Sequence, residues 1–318
     1  MAWQMRHRRR LTIGNMETVY VVTKLLCNER PKKVDAVKNK DGNVPTKEED
    51  IRTRWKEHFS EVLNRPDPIE TAEIQIEDNN ELDIETGPPT VDEIRKALKE
   101  TKSGKAAGVD NITAEILKTD METTVKELHT LFNTIWTTAK TPNDWRRGLI
   151  IKLAKKGNLT ICGNWCGITL TSTTAKLMGK ILIKRICLGV DNKLRVKQAG
   201  FRAGRGTTEQ IFVLRNILEQ AIEWNSNLYL CFVDFEKAFD SVHRETLWKI
   251  MDSYGIPEKL IIMTKSMYED IFCECAVVDG SGTTEWFKSK IWCQTRVQHV
   301  GLLVSPSYKL DNEKDNNS

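Results

Sequence analysis

At 318 residues, with 40% hydrophobic and 29% charged side chains, the chain has the composition of a soluble globular protein of two compact units at most, which excludes disorder throughout and collagen-like or mucin-like readings. The longest fully apolar run, Leu228 to Val233, falls far short of the roughly 18 residues that cross a bilayer, and no apolar segment of signal-peptide length follows the basic N-terminus, so a cytoplasmic or nuclear protein with no membrane partner is expected. The net charge of +4 conceals opposing blocks: residues 66–100 carry 3 basic and 11 acidic side chains, and residues 101–215 carry 20 basic and 8 acidic, a surplus suited to a surface that grips phosphates. Solvated lysines that bind nothing would give the same count.

In chain order, Thr46-x-x-Glu49 reads as a capping box opening a helix with Ile51, Trp55, Phe59 and Val62 on one face and ending at Asn64-Arg65-Pro66. An acidic stretch without helical periodicity leads to Gly87-Pro88-Pro89, where the compact unit is expected to begin with a second capping box, Thr90-x-x-Glu93, and a helix through Leu98. Past the turn-rich stretch Ser103 to Asp110, helical patterns run from Ala114 to Lys118 and through Val125, Leu128, Phe132, Ile135 and Trp136, followed by a strand from Leu149 to Leu153. Further helices are expected at Thr174 to Cys187 and, behind Thr207-x-x-Gln210, from Ile211 to Trp224. The apolar run Leu228 to Val233 reads as a central strand covered on both faces. Helices near Glu245 to Tyr254 and Glu258 to Met267 precede a hairpin of Cys273 to Val278 with Thr283 to Ile291. The expected fold is α+β with a helical N-terminal extension.

The eight cysteines, most of them in apolar segments, read as reduced, buried small hydrophobes; Cys162-x-x-x-Cys166 with Cys187 lacks the histidines or second pair of a zinc site. The strongest local signal is Asp234, a carboxylate at the end of the apolar run, with the Phe235 carbonyl as a second oxygen for a hard cation such as Mg²⁺. Capping of the following helix by Asp234 is the alternative.

Four blocks in order carry a resemblance: Ser103-Gly-Lys-Ala-Ala-Gly-Val-Asp-Asn-Ile-Thr-Ala-Glu-Ile-Leu-Lys118; Asn143-Asp-Trp-Arg-Arg-Gly-Leu-Ile-Ile-Lys-Leu-Ala-Lys-Lys156 with Asn164-Trp-Cys-Gly-Ile-Thr-Leu170; Gln198-Ala-Gly-Phe-Arg-Ala-Gly-Arg205; and Phe232 to Tyr254. Together they resemble the reverse transcriptases of non-LTR (LINE-type) retrotransposons. The resemblance implies right-hand polymerase fingers and a partial palm over residues 90–292, with 1–89 an N-terminal extension and acidic linker and 293–318 a divergent tail. It implies RNA-directed DNA synthesis with Mg²⁺, an RNA template, a DNA primer and deoxynucleotides. Carried over residue by residue, Asp234 is the catalytic metal ligand with the Phe235 carbonyl beside it, Lys155 contacts the triphosphate, Phe239 packs under the sugar and selects deoxynucleotides, and Lys105, Arg202 and Arg205 lie near nucleic-acid phosphates.

Three departures accompany it. No Asp-Asp pair follows Asp234, although the family completes its metal site with one, so the expectation is a polymerase truncated before that hairpin and catalytically impaired. Cys166 stands where the family usually has an arginine, a fork no thiol replaces. From about Trp292 the similarity decays, with Arg296 and Gln298 out of register. A catalytically silent RNA-binding remnant built on the basic block is the alternative reading.

Overall fold

The computed structural model describes residues 37–66, 81–202, 204–233, 243–268, 273–279 and 282–289. The elements are α1 (Glu48–Leu63), α2 (Val91–Lys99), α3 (Ala114–Thr119), α4 (Met121–Thr138), β1 (Arg147–Ala154), β2 (Trp165–Leu170), α5 (Thr173–Val190), α6 (Thr207–Glu223), α7 (Arg244–Ser253), α8 (Glu258–Tyr268), β3 (Cys273–Asp279), β4 (Gly282–Thr283) and β5 (Phe287–Ser289). The α+β class is observed. Among the described residues no helix is long and apolar enough to cross a membrane.

One sheet runs in the order β2-β1-β3-β4, with β5 also paired to β3. β1 and β2 are antiparallel, from Leu149↔Leu170 to Ala154↔Trp165. β3 lies parallel to β1, from Arg147↔Glu274 to Ile151↔Val278, and returns antiparallel to β5 and β4. Helix α1 covers this sheet: Ile51, Trp55, Phe59 and Leu63 are buried against Ile150, Cys162, Val277 and Phe287, and the Trp55 and Trp165 rings meet edge to face at 5.4 Å. Gly167 on β2 is required by this contact, because a Cβ there would come 2.7 Å from the Phe59 ring.

A second core joins α2, α4, α5, α7 and α8 through Leu98, Phe132, Met178, Leu182, Met251 and Leu260. Trp136 is its hub. Its indole donates to the Thr86 carbonyl (3.1 Å), and the Arg185 and Lys259 cations lie 5.5 and 5.7 Å from its ring. The predicted capping box at Thr90 is present: Thr90 Oγ1 accepts from the Glu93 N–H (3.3 Å) and Glu93 Oε2 from the Thr90 N–H (2.9 Å).

Several expectations are corrected. Packing begins earlier than Gly87: Ile84 is buried against Gly189 of α5, and the Leu82 N–H donates to the Gly255 carbonyl (2.7 Å), so the Gly-Pro-Pro break interrupts helix formation and not the core. Helix α1 is capped by Lys47 without a side-chain bond, and three carboxylates in its first turn complement the helix dipole instead of Thr46. Gly206 likewise precedes α6, with Thr207 already helical. The run Leu228 to Val233 belongs to no strand, with Tyr229 90% and Phe232 79% exposed. Both edges of β1 are taken, by β2 and β3, and no residue of the preceding α6 is buried. Of the cysteines, Cys162 is buried and Cys187 half-buried, whereas Cys166 and Cys231 are exposed. The strand β2 was not anticipated.

Candidate nucleic-acid interface

The connection from β1 to β2 is a built loop. The Lys155 N–H donates to the Asn164 carbonyl (2.8 Å), continuing the ladder by one step. Asn158 Oδ1 accepts from the Thr160 N–H (3.0 Å) and hydroxyl (2.8 Å), the Asn164 amide donates to the Asn158 carbonyl (2.8 Å), and the Trp165 indole donates to the Leu159 carbonyl (2.9 Å). Gly157, at φ +115°, supplies the turn that a side chain would resist. On this fixed backbone Lys155 and Lys156 stand exposed, with no ion pair among the described residues. Lys152, one turn of pleat earlier, lies over the Trp55 ring at 4.6 Å.

The loop 102–110 is held at both ends. Gly104, at φ +72°, donates its N–H to the Glu115 carboxylate, and this bond is the first cause of the Glu115 carboxyl lying below its ordinary range. At the other end Gly108 is buried against the Thr171–Ser172 backbone, and Asp110 accepts from the Ser172 hydroxyl (2.6 Å) at the start of α5. Lys102 and Lys105 are exposed between these anchors, with no ion pair among the described residues.

Arg202 and Arg205 follow α5 and differ sharply. Arg202 is 5% exposed at its side chain and grips Asp191: Nε to Oδ1 (2.9 Å), Nη2 to Oδ2 (3.0 Å) and to the Asp191 carbonyl (3.0 Å), with Nη1 on the Arg195 carbonyl (2.9 Å). These bonds are the main reason the Asp191 carboxyl lies below its ordinary range and the guanidinium above its own. Four of the five donors of Arg202 are thus engaged within the protein. The Arg205 side chain is exposed and makes no hydrogen bond or ion pair among the described residues, though its charge also helps hold the Asp191 carboxyl low.

Asp234, Phe235 and Phe239 lie outside the described residues. Among the described residues no group of three or more His, Cys, Asp or Glu is placed to hold a metal. Burial pushes the Cys187 thiol up to about 11 and raises that of Cys162.

The profile of the reverse transcriptase (RNA-dependent DNA polymerase) family matches residues 153–308. An uncharacterized 149 kDa protein of transposon TX1 from Xenopus laevis is 25% identical over 250 residues, covering 76% of this chain and 19% of that protein. The RNA-directed DNA polymerase from mobile element jockey of Drosophila melanogaster is 23% identical over 250 residues, 76% of this chain and 27% of that protein. The Pol polyprotein from type-1 retrotransposable element R2 of Popillia japonica is 27% identical over 172 residues, 54% of this chain and 23% of that protein. This chain carries a reverse transcriptase domain of the non-LTR retrotransposon type. It spans about a fifth to a quarter of the length of these relatives.

The matched reverse transcriptase stretch contains Lys155, Arg202, Arg205, Asp234 and Phe239, while Lys105 precedes it. Reverse transcriptases generally use divalent metal ions, a nucleic-acid template and nucleotide substrates. Two sets of residues that shape the interface escaped the sequence reading. Asp110 anchors the 102–110 loop to Ser172, and Asp191 holds Arg202. The Thr171-Ser-Thr-Thr174 run ahead of an apolar helix was an available signal for the first; no local pattern announces the second.

Proposed function

We propose that this chain forms the fingers and part of the palm of an RNA-directed DNA polymerase, with an RNA template, a DNA primer and deoxynucleotides as its partners and the cytoplasm or nucleus as its compartment. The observation that carries the reading is the exposed Lys155, in no ion pair among the described residues, on a hydrogen-bonded hairpin within the family match. Lys155 receives the triphosphate; Lys105 and Arg205 contact nucleic-acid phosphates; Arg202 positions the 191–205 segment through Asp191. Asp234 and the Phe235 carbonyl supply oxygens for Mg²⁺, and Phe239 excludes a 2′-hydroxyl. Bound Mg²⁺ in such a site polarises the attacking hydroxyl and offsets charge on the leaving pyrophosphate. With Asp234 as the one metal carboxylate assigned, the chain alone binds template and primer better than it extends them.

Primer extension on an RNA template, run beside salt-dependent binding of the same duplex, tests the reading. Binding that weakens with salt, with extension slow in the parent and absent in Asp234→Ala, is expected. Absence of binding at low ionic strength refutes it, and brisk extension untouched by Asp234→Ala refutes the metal assignment.

A further inference from the structure

Helix α6 buries none of its 17 residues, yet its sequence is that of a helix with a covered face. Ile211, Leu214, Leu218 and Ile222 recur at the three- and four-residue spacing of one stripe, with Ile217 beside them. Of these Ile211 is 63% and Ile222 78% exposed. A contiguous apolar stripe of this kind marks a surface that another segment covers. Charge narrows the choice of partner. Helix α6 carries Glu209, Glu219 and Glu223 against the single base Arg215, which is already paired with Glu219 at 2.9 Å. The anionic excess disfavours nucleic acid, an anionic membrane and a second α6, which would bring the same charge. Residues 290–310 have the complementary character: Lys290, Arg296 and Lys309 with no acid, and an apolar content that includes Trp292, Leu302 and Leu303. The reverse transcriptase match over 153–308 takes in both α6 and nearly all of this stretch, which makes them parts of one domain. The stretch leaves β5 at Ser289 and, at about 3.3 Å per residue, reaches about 70 Å, several times the roughly 20 Å radius of gyration of a compact chain of this length.

We propose that residues 290–310 of the same chain dock on the apolar face of α6, their aliphatic side chains against Ile211, Leu218 and Ile222 and their cations toward its carboxylates. Arg205 lies two residues before α6, so the docked segment also steadies that cation. The inference concerns how the domain closes on itself and holds whether or not the chain polymerises.

The test uses the full chain. Ile217→p-benzoylphenylalanine, illuminated in an equal mixture of unlabelled and ¹⁵N-labelled protein, should cross-link to a peptide within 290–310 with both halves carrying the same label. Amide exchange across α6 should run about tenfold or more faster in the double variant Leu302→Asp, Leu303→Asp, while exchange in α4 keeps the parent's rate and shows that the variant folds. Ile222→Asp, which changes only an exposed side chain and leaves 290–310 intact, should speed α6 exchange in the same way. Cross-links between differently labelled chains assign the face to a second copy. Absence of any cross-link into 290–310, or α6 exchange equally fast in the parent and both variants, leaves the face to another protein. Each of these outcomes overturns the proposal.

Discussion

The Ser172 hydroxyl donates to Asp110 Oδ2 at 2.6 Å, tying the 102–110 loop to the start of α5. The indole of Trp145 can only donate, to Thr174 Oγ1 (3.0 Å), and Ser172 has committed its proton to a carboxylate, so Thr174 must donate to Ser172 (2.8 Å). A directed chain therefore runs from Trp145 through Thr174 and Ser172 to Asp110. Removing its terminal acceptor in Asp110→Ala leaves the proton of the fully buried Ser172 hydroxyl without the carboxylate that accepts it, at a cost of about 1–3 kcal/mol. Chemical denaturation of Asp110→Ala, Ser172→Ala and the double variant should give strongly non-additive losses; simple additivity would mean that the two do not act together.

Gly108 reaches the same junction by backbone contact. A Cβ at this position would lie 2.5 Å from both the Ser172 nitrogen and the Thr171 carbonyl carbon, and neither belongs to a side chain able to swing away. Gly108→Ala should lower stability by about 1–3 kcal/mol, the range of an overpacked core, and weaken nucleic-acid binding by displacing Lys105. A denaturation midpoint equal to that of the parent would contradict the close approach.

Arg185, 6% exposed, is held by both Glu93 oxygens (2.7 and 2.6 Å) and by the Gly87 carbonyl (2.6 Å), joining α5, α2 and the Gly-Pro-Pro segment. Burial alone would raise the Glu93 carboxyl, but its bonds to Arg185 and Thr90 prevail and hold it below the usual range. A carboxyl depressed in the folded state contributes stability that is complete above its unfolded pKa, about 4.3, and lost as the pH falls through the lower folded value. Denaturation midpoints from pH 7 to 3 should therefore drop below about pH 4.3 in the parent. Glu93→Gln should flatten that portion of the curve, and Arg185→Ala should cost about 3–5 kcal/mol near neutrality.

Helices that carry their own punctuation were legible in the sequence. α2 has a complete capping box, and α4 has its apolar stripe from Val125 to Trp136, so local chemistry and packing agree. Local patterns failed where partners decide. Thr46-x-x-Glu49 matches a capping box, yet the helix starts two residues past the threonine. Leu228 to Val233 has the apolarity of a buried strand, but apolarity does not supply the partner a ladder needs, and among the described residues the run pairs with no strand. β2 was missed because Trp165-Cys-Gly-Ile-Thr-Leu170 lacks clean alternation, its glycine being reserved for the Phe59 ring. At the candidate site the sequence identified the cations but could not distinguish Arg202, bound to Asp191, from Arg205, which stands exposed with no hydrogen bond or ion pair of its side chain among the described residues.

That difference is open to measurement. Arg202→Ala removes four hydrogen bonds that order residues 191–202, so it should lower the denaturation midpoint and weaken RNA binding together. Arg205→Ala and Lys155→Ala break no side-chain bond among the described residues, so their midpoints should match the parent. Each should instead reduce the slope of log binding constant against log salt by about one, the signature of one lost phosphate contact. Fluorescence anisotropy with a labelled RNA–DNA duplex between 50 and about 200 mM salt reads the slope, and urea denaturation reads the midpoint. If Arg205→Ala unfolds early while Arg202→Ala alters only the salt slope, the two arginines have been given each other's roles.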